Sequence, residues 1–180
     1  MYTIKEVQNL YKKGKPLEFI FFSGHQKTKN GNITKSCLSQ WYQSPFEMND
    51  VKYSCAEQYM MAEKARIFGD YDAFEKILKA YHPNQMKLIG KKVCNFNEEV
   101  WSQKKVSVVK IANMAKFSQN SKLKKYLLGT GSKILVKTNV YDSIWGIGLA
   151  KEDNDIINPL KWNGENLLGF ILMDIREILS

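Results

Sequence analysis

The segment between residues 54 and 129 carries a succession of helix start and stop signals, which leaves little of the chain for an extended sheet. Its first helix opens with Ser54 and Glu57 at the spacing of a capping box, and Gly69 ends it. Asn97, followed by two glutamates, has the character of an N-cap and opens the longest helix. With an apolar stripe at the end of the chain, these signals predict helices over residues 54–68, 71–81, 83–92, 97–117, 122–128 and 165–179.

Extended structure is predicted only in short pieces. Residues 17–22 and 134–137 have the apolar composition of strands, 51–53 is strand-like, and 23–36 is rich in turn formers and reads as a loop. The 180 residues contain no internal repeat and no linker rich in proline, glycine or serine. We therefore expect a helix-dominated α+β fold in a single domain over residues 1–180.

The charge balance allows two interpretations. The 27 basic residues exceed the 18 acidic ones by nine, and all but Arg66 and Arg176 are lysines. Such an excess attracts polyanions and anionic substrates, but scattered lysines are equally typical of a solvated surface. With 44% hydrophobic and 25% charged residues, the composition excludes a disordered chain.

Several protein classes are not expected from the sequence. The longest apolar clusters are far shorter than the ~20 residues that a membrane span needs, so no membrane association is predicted. The N-terminus lacks the features of a secretory signal, which predicts a cytoplasmic protein. The three cysteines and two histidines lack metal-ligand spacing, so we expect no metal site and no disulfide framework. No cofactor is expected either.

Four segments carry candidate functional residues, each with a plain structural alternative. Aromatic residues in the loop 39–46, including Trp41, either stack on a ring or cover the core. Glu57 and Lys64 share one helical face about 10 Å apart along the axis, a separation suited to flanking a sugar. The alternative is that Glu57 belongs to the capping box and that Lys64 extends its stem over an apolar face.

The other two segments lie further along the chain. Trp101 and Lys116 fall on roughly one face of the long predicted helix, which indicates either a cleft or ordinary packing. In the segment 142–148, Gly146 and Gly148 allow close backbone approach to a ligand, although their spacing is not that of a dinucleotide fingerprint.

In this order, these segments resemble the NADAR family, named for its proposed link to NAD and ADP-ribose. The resemblance extends from Phe19 to Ile178. The matching text lies at residues 39–42, 57–65, 68, 70, 87–90, 101, 116–117, 127–131, 142–148 and 162–169. It implies a mostly helical α+β fold and hydrolysis of the bond between a ribose and a nitrogenous base.

The resemblance implies two kinds of substrate, and both are anionic N-ribosides. One is ADP-ribose attached to guanine in nucleic acid, and the other is a ribosylamino-pyrimidine phosphate intermediate of riboflavin synthesis. A third possibility is a catalytically silent sensor that only binds ADP-ribose or a nucleotide derived from NAD. An ADP-ribosyltransferase encoded next to this protein would favour the first, and riboflavin genes would favour the second.

The catalytic residues that we expect are Glu57, Lys64 and Asp142. Cleavage builds positive charge on the anomeric carbon and negative charge on the departing base, so carboxylates such as Glu57 and Asp142 would lower the barrier. In a second route the Lys64 amine attacks the anomeric carbon of the ring-opened sugar and forms a Schiff base.

Further residues are assigned to substrate binding. Trp41, Trp101 and Trp145 would stack on the base or exclude water. Gly146, Gly148 and the start of the last helix would offer N–H groups to phosphate. The complete set is Ser39, Trp41, Trp101, Lys116, Trp145, Gly146, Gly148 and Asn166. One position departs from the family pattern, because Lys137 stands where the family commonly has a glutamate. This exchange either tightens phosphate binding or removes a carboxylate.

Overall fold

The computed structural model describes residues 2–180, and helices dominate them. The helices are α1 (Ile4–Lys12), α2 (Ala56–Ile67), α3 (Tyr71–Lys79), α4 (Pro83–Gly90), α5 (Glu98–Gln119), α6 (Ser121–Gly129) and α7 (Leu167–Leu179). The strands are β1 (Phe19–Phe22), β2 (Phe46–Met48), β3 (Val51–Tyr53) and β4 (Ile134–Lys137). Short 3-10 helices occupy Lys35–Leu38, Asn154–Ile157 and Pro159–Lys161. The predicted helix-rich α+β class is confirmed.

The chain forms two compact units. Unit 1 combines Met1–Ser39 with Lys122–Ser180, and unit 2 is the continuous segment Gln40–Ser121. The single-domain organisation expected from the sequence stays a prediction. Among the described residues, no helix is both long and apolar enough to cross a membrane.

Unit 1 is built on a parallel pair of strands. β1 pairs with β4 in the register Phe19↔Ile134 to Phe22↔Lys137, and α7 packs on β4. The helix buries the apolar stripe that the sequence predicts, with Leu168 and Ile171 fully inaccessible. Gly169 permits this packing, because a Cβ at that position would collide with the Leu135 carbonyl oxygen.

Unit 2 is organised around α2. Its residues from Ala56 to Ala62 are all buried, and the helix packs against α3, α4 and α5. β2 and β3 form an antiparallel hairpin in the register Phe46↔Tyr53. The two residues of its turn, Asn49 and Asp50, have φ values of 50° and 61°, as a tight hairpin turn of type I′ requires.

The capping box predicted at Ser54 is wrong. The N-cap of α2 is Cys55, whose side chain makes no capping hydrogen bond. Gln58 replaces the expected glutamate, because its Oε1 accepts the Ser54 N–H at 2.7 Å. The helix therefore begins one residue later than the capping box places it, and Glu57 is released from a capping role.

Candidate active site

Glu57 lies in the first turn of α2 and is buried, with 4% of its surface exposed. Its backbone N–H donates to the Gln40 carbonyl oxygen at 3.1 Å, which ties the start of α2 to the aromatic segment that follows residue 39. Burying an ionised carboxylate costs several kcal/mol. Such a residue is kept in a protein interior only where its charge is compensated or used.

A second buried charge lies in the same unit. Lys116 on α5 is fully buried, and its Nζ is 5.1 Å from the centre of the Phe117 ring and 5.8 Å from that of Tyr42. Burial raises the pKa of the Cys55 thiol; the charge of Glu57 raises this pKa further and that of Lys116 lowers it. The interior of unit 2 thus holds opposite charges that act on one thiol.

Two buried amides connect α2 and α5, and sequence reasoning gave them no role. Asn113 Nδ2 donates to Gln40 Oε1 at 3.2 Å and to the Val109 carbonyl oxygen at 2.9 Å. Asn113 Oδ1 is buried and has no hydrogen-bond partner among residues 2–180. The available signal was an amide on an otherwise apolar stretch of α5, since Asn113 follows Val108 and Val109 by about one turn.

Lys64 is half-buried and lies two turns after Glu57 on α2. Its Nζ lies 4.0 Å from the centre of the Phe96 ring and 5.8 Å from that of Trp101. Desolvation by these surroundings lowers the pKa of the amine, and the charge of Glu98 partly opposes this shift. A lysine with a lowered pKa holds more of the neutral form that acts as a nucleophile.

The two predicted tryptophans of unit 2, Trp41 and Trp101, differ in burial. Trp101 is buried, with 8% exposure, whereas Trp41 is half-buried. Lys87 Nζ is 5.9 Å from the centre of the Trp41 ring. The structure therefore places Glu57 and Lys64 in one unit with three of the predicted binding residues, which are Trp41, Trp101 and Lys116.

Asp142 belongs to unit 1, in a loop that folds back onto β4. Its carboxylate forms an ion pair with Lys137, the residue that departs from the family pattern, and Oδ1 accepts the Trp145 N–H at 2.9 Å. The side chains of Lys137 and Asp142 are only 21% and 18% exposed. The lysine therefore neutralises the carboxylate, and the carboxylate orients the backbone at Trp145.

The predicted glycines are explained by contacts within this loop. A Cβ at Gly146 would lie 2.9 Å from the Lys137 carbonyl oxygen and 3.0 Å from that of Asp142. Gly148 has a φ of 67°, which favours glycine. The two positions therefore require glycine for the conformation of the loop itself.

The start of α7 is occupied in the same way. Asn166 is fully buried; its Nδ2 donates to the Leu135 carbonyl oxygen at 2.9 Å, and its Oδ1 accepts the Lys137 N–H at 3.0 Å. The backbone N–H groups of residues 166–168 donate to carbonyl oxygens of residues 144–146. The structure thus gives these N–H groups partners other than the phosphates expected from the sequence.

Ser39 ends the first segment of unit 1, at the close of the first 3-10 helix. Its N–H donates to the Ser36 carbonyl oxygen at 3.1 Å, and its side chain is half-buried. The predicted site residues are thus divided between the two units. Ser39, Asp142, Trp145, Gly146, Gly148 and Asn166 lie in unit 1. Their binding and catalytic roles stay predictions.

Comparison with known proteins confirms the resemblance drawn from the sequence motifs. A model of the NADAR domain matches residues 21–180. The N-glycosidase R617 of Acanthamoeba polyphaga mimivirus is 42% identical over 165 residues, covering 89% of this chain and 95% of the viral protein. The chloroplastic riboflavin biosynthesis protein PYRR of Arabidopsis thaliana is 34% identical over 111 residues, covering 59% of this chain and 17% of the plant protein.

The fold has a counterpart among solved structures. The NMR structure of the Escherichia coli protein YbiA aligns with a TM-score of 0.72 at 25% sequence identity. The alignment covers 90% of this chain and 84% of YbiA. The fold and the order of the motifs thus agree with the same family.

Proposed function

The chain belongs to the NADAR domain family, and from this premise we propose that it is an N-glycosidase that removes ADP-ribose from ADP-ribosylated guanine in nucleic acid. The observation that carries the proposal is the burial of Glu57 in the first turn of α2 without a capping role. The relatives of this chain include a viral protein named as an N-glycosidase. The charge of +9 favours a polyanionic substrate over a small one.

The reaction breaks the bond between the anomeric carbon of ribose and a base nitrogen. The bonding electrons leave with the base, which takes up a proton, while water adds to the anomeric carbon and loses one. Glu57 is proposed to stabilise the developing positive charge and to accept the proton of the water. A buried carboxylate suits both tasks, because charges interact more strongly where water is excluded.

Lys64 is proposed to supply the alternative covalent route. Its neutral amine adds to the anomeric carbon of the ring-opened sugar, the base departs with a proton, and water then hydrolyses the resulting imine. The aromatic surroundings of Phe96 and Trp101 and the lowered pKa of Lys64 support this role. Glu57 would move the protons that each step requires.

Asp142 is proposed to act within unit 1. Its carboxylate is already paired with Lys137 and holds the Trp145 N–H. In this arrangement the residue contributes a fixed orientation of the Trp145 loop. Trp41, half-buried in unit 2, is proposed to contact the base.

A second candidate is hydrolysis of a ribosylamino-pyrimidine phosphate of riboflavin synthesis. It is favoured by the 34% identity to the plant riboflavin biosynthesis protein.

A parallel assay separates the two candidate functions. It measures kcat/KM for an oligonucleotide bearing ADP-ribosylguanine and for the free pyrimidine riboside phosphate, each at low and high salt. We expect the oligonucleotide to be preferred, with a steep fall as salt rises. Preference for the small substrate with little salt dependence would establish the second candidate, and binding of ADP-ribose without turnover of either would indicate a sensor.

A further inference from the structure

The charges of this chain are unevenly distributed along the sequence. Residues 100–141 contain nine lysines and neither an aspartate nor a glutamate. The remaining residues therefore carry 18 basic and 18 acidic side chains, since 27 − 9 = 18. This segment of the chain accounts for the whole positive excess.

Helix α6 presents part of this segment on a fixed scaffold. Its apolar side is anchored by Leu123 and Leu127, which are 4% and 0% exposed. Lys122 and Lys125 are exposed and, being three residues apart, project from neighbouring positions on one side of the helix. They are therefore held close together by the fold.

Lys133 lies four residues beyond the end of α6. It is exposed and follows a turn that Arg176 of α7 holds in place. The Arg176 guanidinium donates to Thr130 Oγ1 at 2.8 Å and to the Lys133 carbonyl oxygen at 2.9 Å. The backbone that carries Lys133 is thus fixed from the interior of unit 1.

These lysines differ from those on α3. There, Lys76 lies 2.6 Å from Asp72 and Lys79 lies 3.9 Å from Glu75. Within residues 2–180, no carboxylate forms an ion pair with Lys122, Lys125 or Lys133. The ammonium groups of these three lysines are therefore available to an external anion.

We propose that Lys122, Lys125 and Lys133 form a lysine surface that contacts the phosphate backbone of single-stranded nucleic acid. Lysine ammonium groups act as point charges, which suits contact with phosphates regardless of base sequence. Such contacts hold and orient a strand without reading its bases. The choice of partner rests on the proposed function, in which the modified guanine belongs to a nucleic acid.

The test compares two charge-matched double variants. Lys122→Gln/Lys125→Gln alters the lysine surface, and Lys76→Gln/Lys79→Gln removes two charges that carboxylates already offset. Each variant is titrated with a labelled, unmodified single-stranded oligonucleotide at several salt concentrations, with fluorescence anisotropy as the readout. We expect the slope of log K against log salt to become shallower by about 1.4 in the first variant, at about 0.7 per phosphate contact, and to stay near the wild-type value in the second.

A single variant guards against damage to α6. Lys133→Gln lies outside the helix and is expected to lower the slope by about 0.7. Equal changes in both double variants would overturn the proposal, because net charge alone would then explain binding. Unchanged slopes in the surface variants would overturn it as well, as would binding of the wild type to phosphatidylserine vesicles but not to the oligonucleotide.

This measurement separates the two proposals. The oligonucleotide carries no ADP-ribose, so its binding does not depend on hydrolysis. If Lys122→Gln/Lys125→Gln weakens binding of the oligonucleotide but leaves any hydrolysis of the free pyrimidine riboside phosphate at the wild-type rate, the result supports the lysine surface as a contact for the strand. Salt-dependent binding through these lysines without any glycosidase activity would support the surface and contradict the proposed function.

Discussion

Glu57 is the residue whose setting changes most between sequence and structure. From its spacing to Ser54 it had an ordinary explanation as a capping glutamate, but Gln58 takes that contact. A buried carboxylate outside a capping box is retained where its charge is compensated or used in chemistry. The proposed catalytic role supplies one.

Lys64 allows a direct chemical test of the covalent route. Borohydride treatment during turnover is expected to trap a covalent adduct in the wild type and not in Lys64→Arg. Because burial lowers the pKa of Lys64 from 10.5, its neutral fraction rises at lower pH than in an ordinary lysine. Adduct yield should therefore increase with pH, with a midpoint below 10.5. Lys105→Arg is the control, and an adduct that survives in Lys64→Arg would assign the chemistry to another amine.

The pair formed by Lys137 and Asp142 predicts a stability coupling. In a double-mutant cycle with Lys137→Gln and Asp142→Asn, we expect a coupling energy of about 1 kcal/mol from chemical denaturation, because the pair is largely shielded from water. Lys137→Glu should destabilise more than Lys137→Gln, since it sets two carboxylates against each other. A coupling energy near zero would show that the pair does not stabilise the loop.

Sequence reasoning located residues better than it described their surroundings. The departure at Lys137 was visible as a reversed charge, but its pairing with Asp142 requires the loop to fold back onto β4. Lys116 was predicted to bind substrate from its place on one face with Trp101, but only the packing of α5 shows that it is fully buried. The linkage of Gln40 to Asn113 spans 73 residues and has no local signal.

At the scale of elements, Asp70 connects α3 to the segment that follows α4. Its carboxylate accepts the Ala73 N–H at 3.0 Å and the Cys94 N–H at 2.8 Å, and these two bonds lower its pKa from 3.8. A lowered pKa means that the contribution to stability is complete above 3.8 and is lost as the pH falls through the lower, folded-state value.

Asp70→Ala is therefore expected to reduce the Tm by a few degrees at pH 7 through loss of this cap. The difference from wild type should shrink as the pH falls below 3.8. Thermal unfolding at several pH values measures it, and Asp72→Ala, on the same helix, serves as the control. A difference that does not change with pH would contradict the role of the carboxylate charge.

The helices α2–α7 were predicted well because their signals are local, whereas α1 was missed although Thr3 and Glu6 form a capping box at its start. Asn97 accepts the Val100 N–H as an N-cap, and Pro83 occupies the first turn of α4. The strand β2 was missed because three residues carry too little periodicity, although Asn49 and Asp50 are typical of a hairpin turn. The parallel pairing of β1 with β4 joins segments more than 100 residues apart, and the sequence offers no signal for such a partner.

For the whole molecule, the central claim is hydrolysis of an ADP-ribosyl-guanine bond that depends on Glu57. The excess of lysines, membership of the NADAR domain family and the burial of the Glu57 carboxylate each support it. The claim requires that the isolated protein act on a modified strand and that loss of one carboxylate abolish the reaction.

The most direct measurement is the mass of an oligonucleotide bearing ADP-ribosylguanine before and after incubation with wild type, Glu57→Gln and Glu63→Gln. Glu63 is the matched control, because it lies on α2 and pairs with Arg66. We predict loss of the ADP-ribosyl mass with wild type and Glu63→Gln, and a rate lower by about 10²–10⁴-fold with Glu57→Gln. An unchanged mass with wild type, or full activity of Glu57→Gln, would contradict the account.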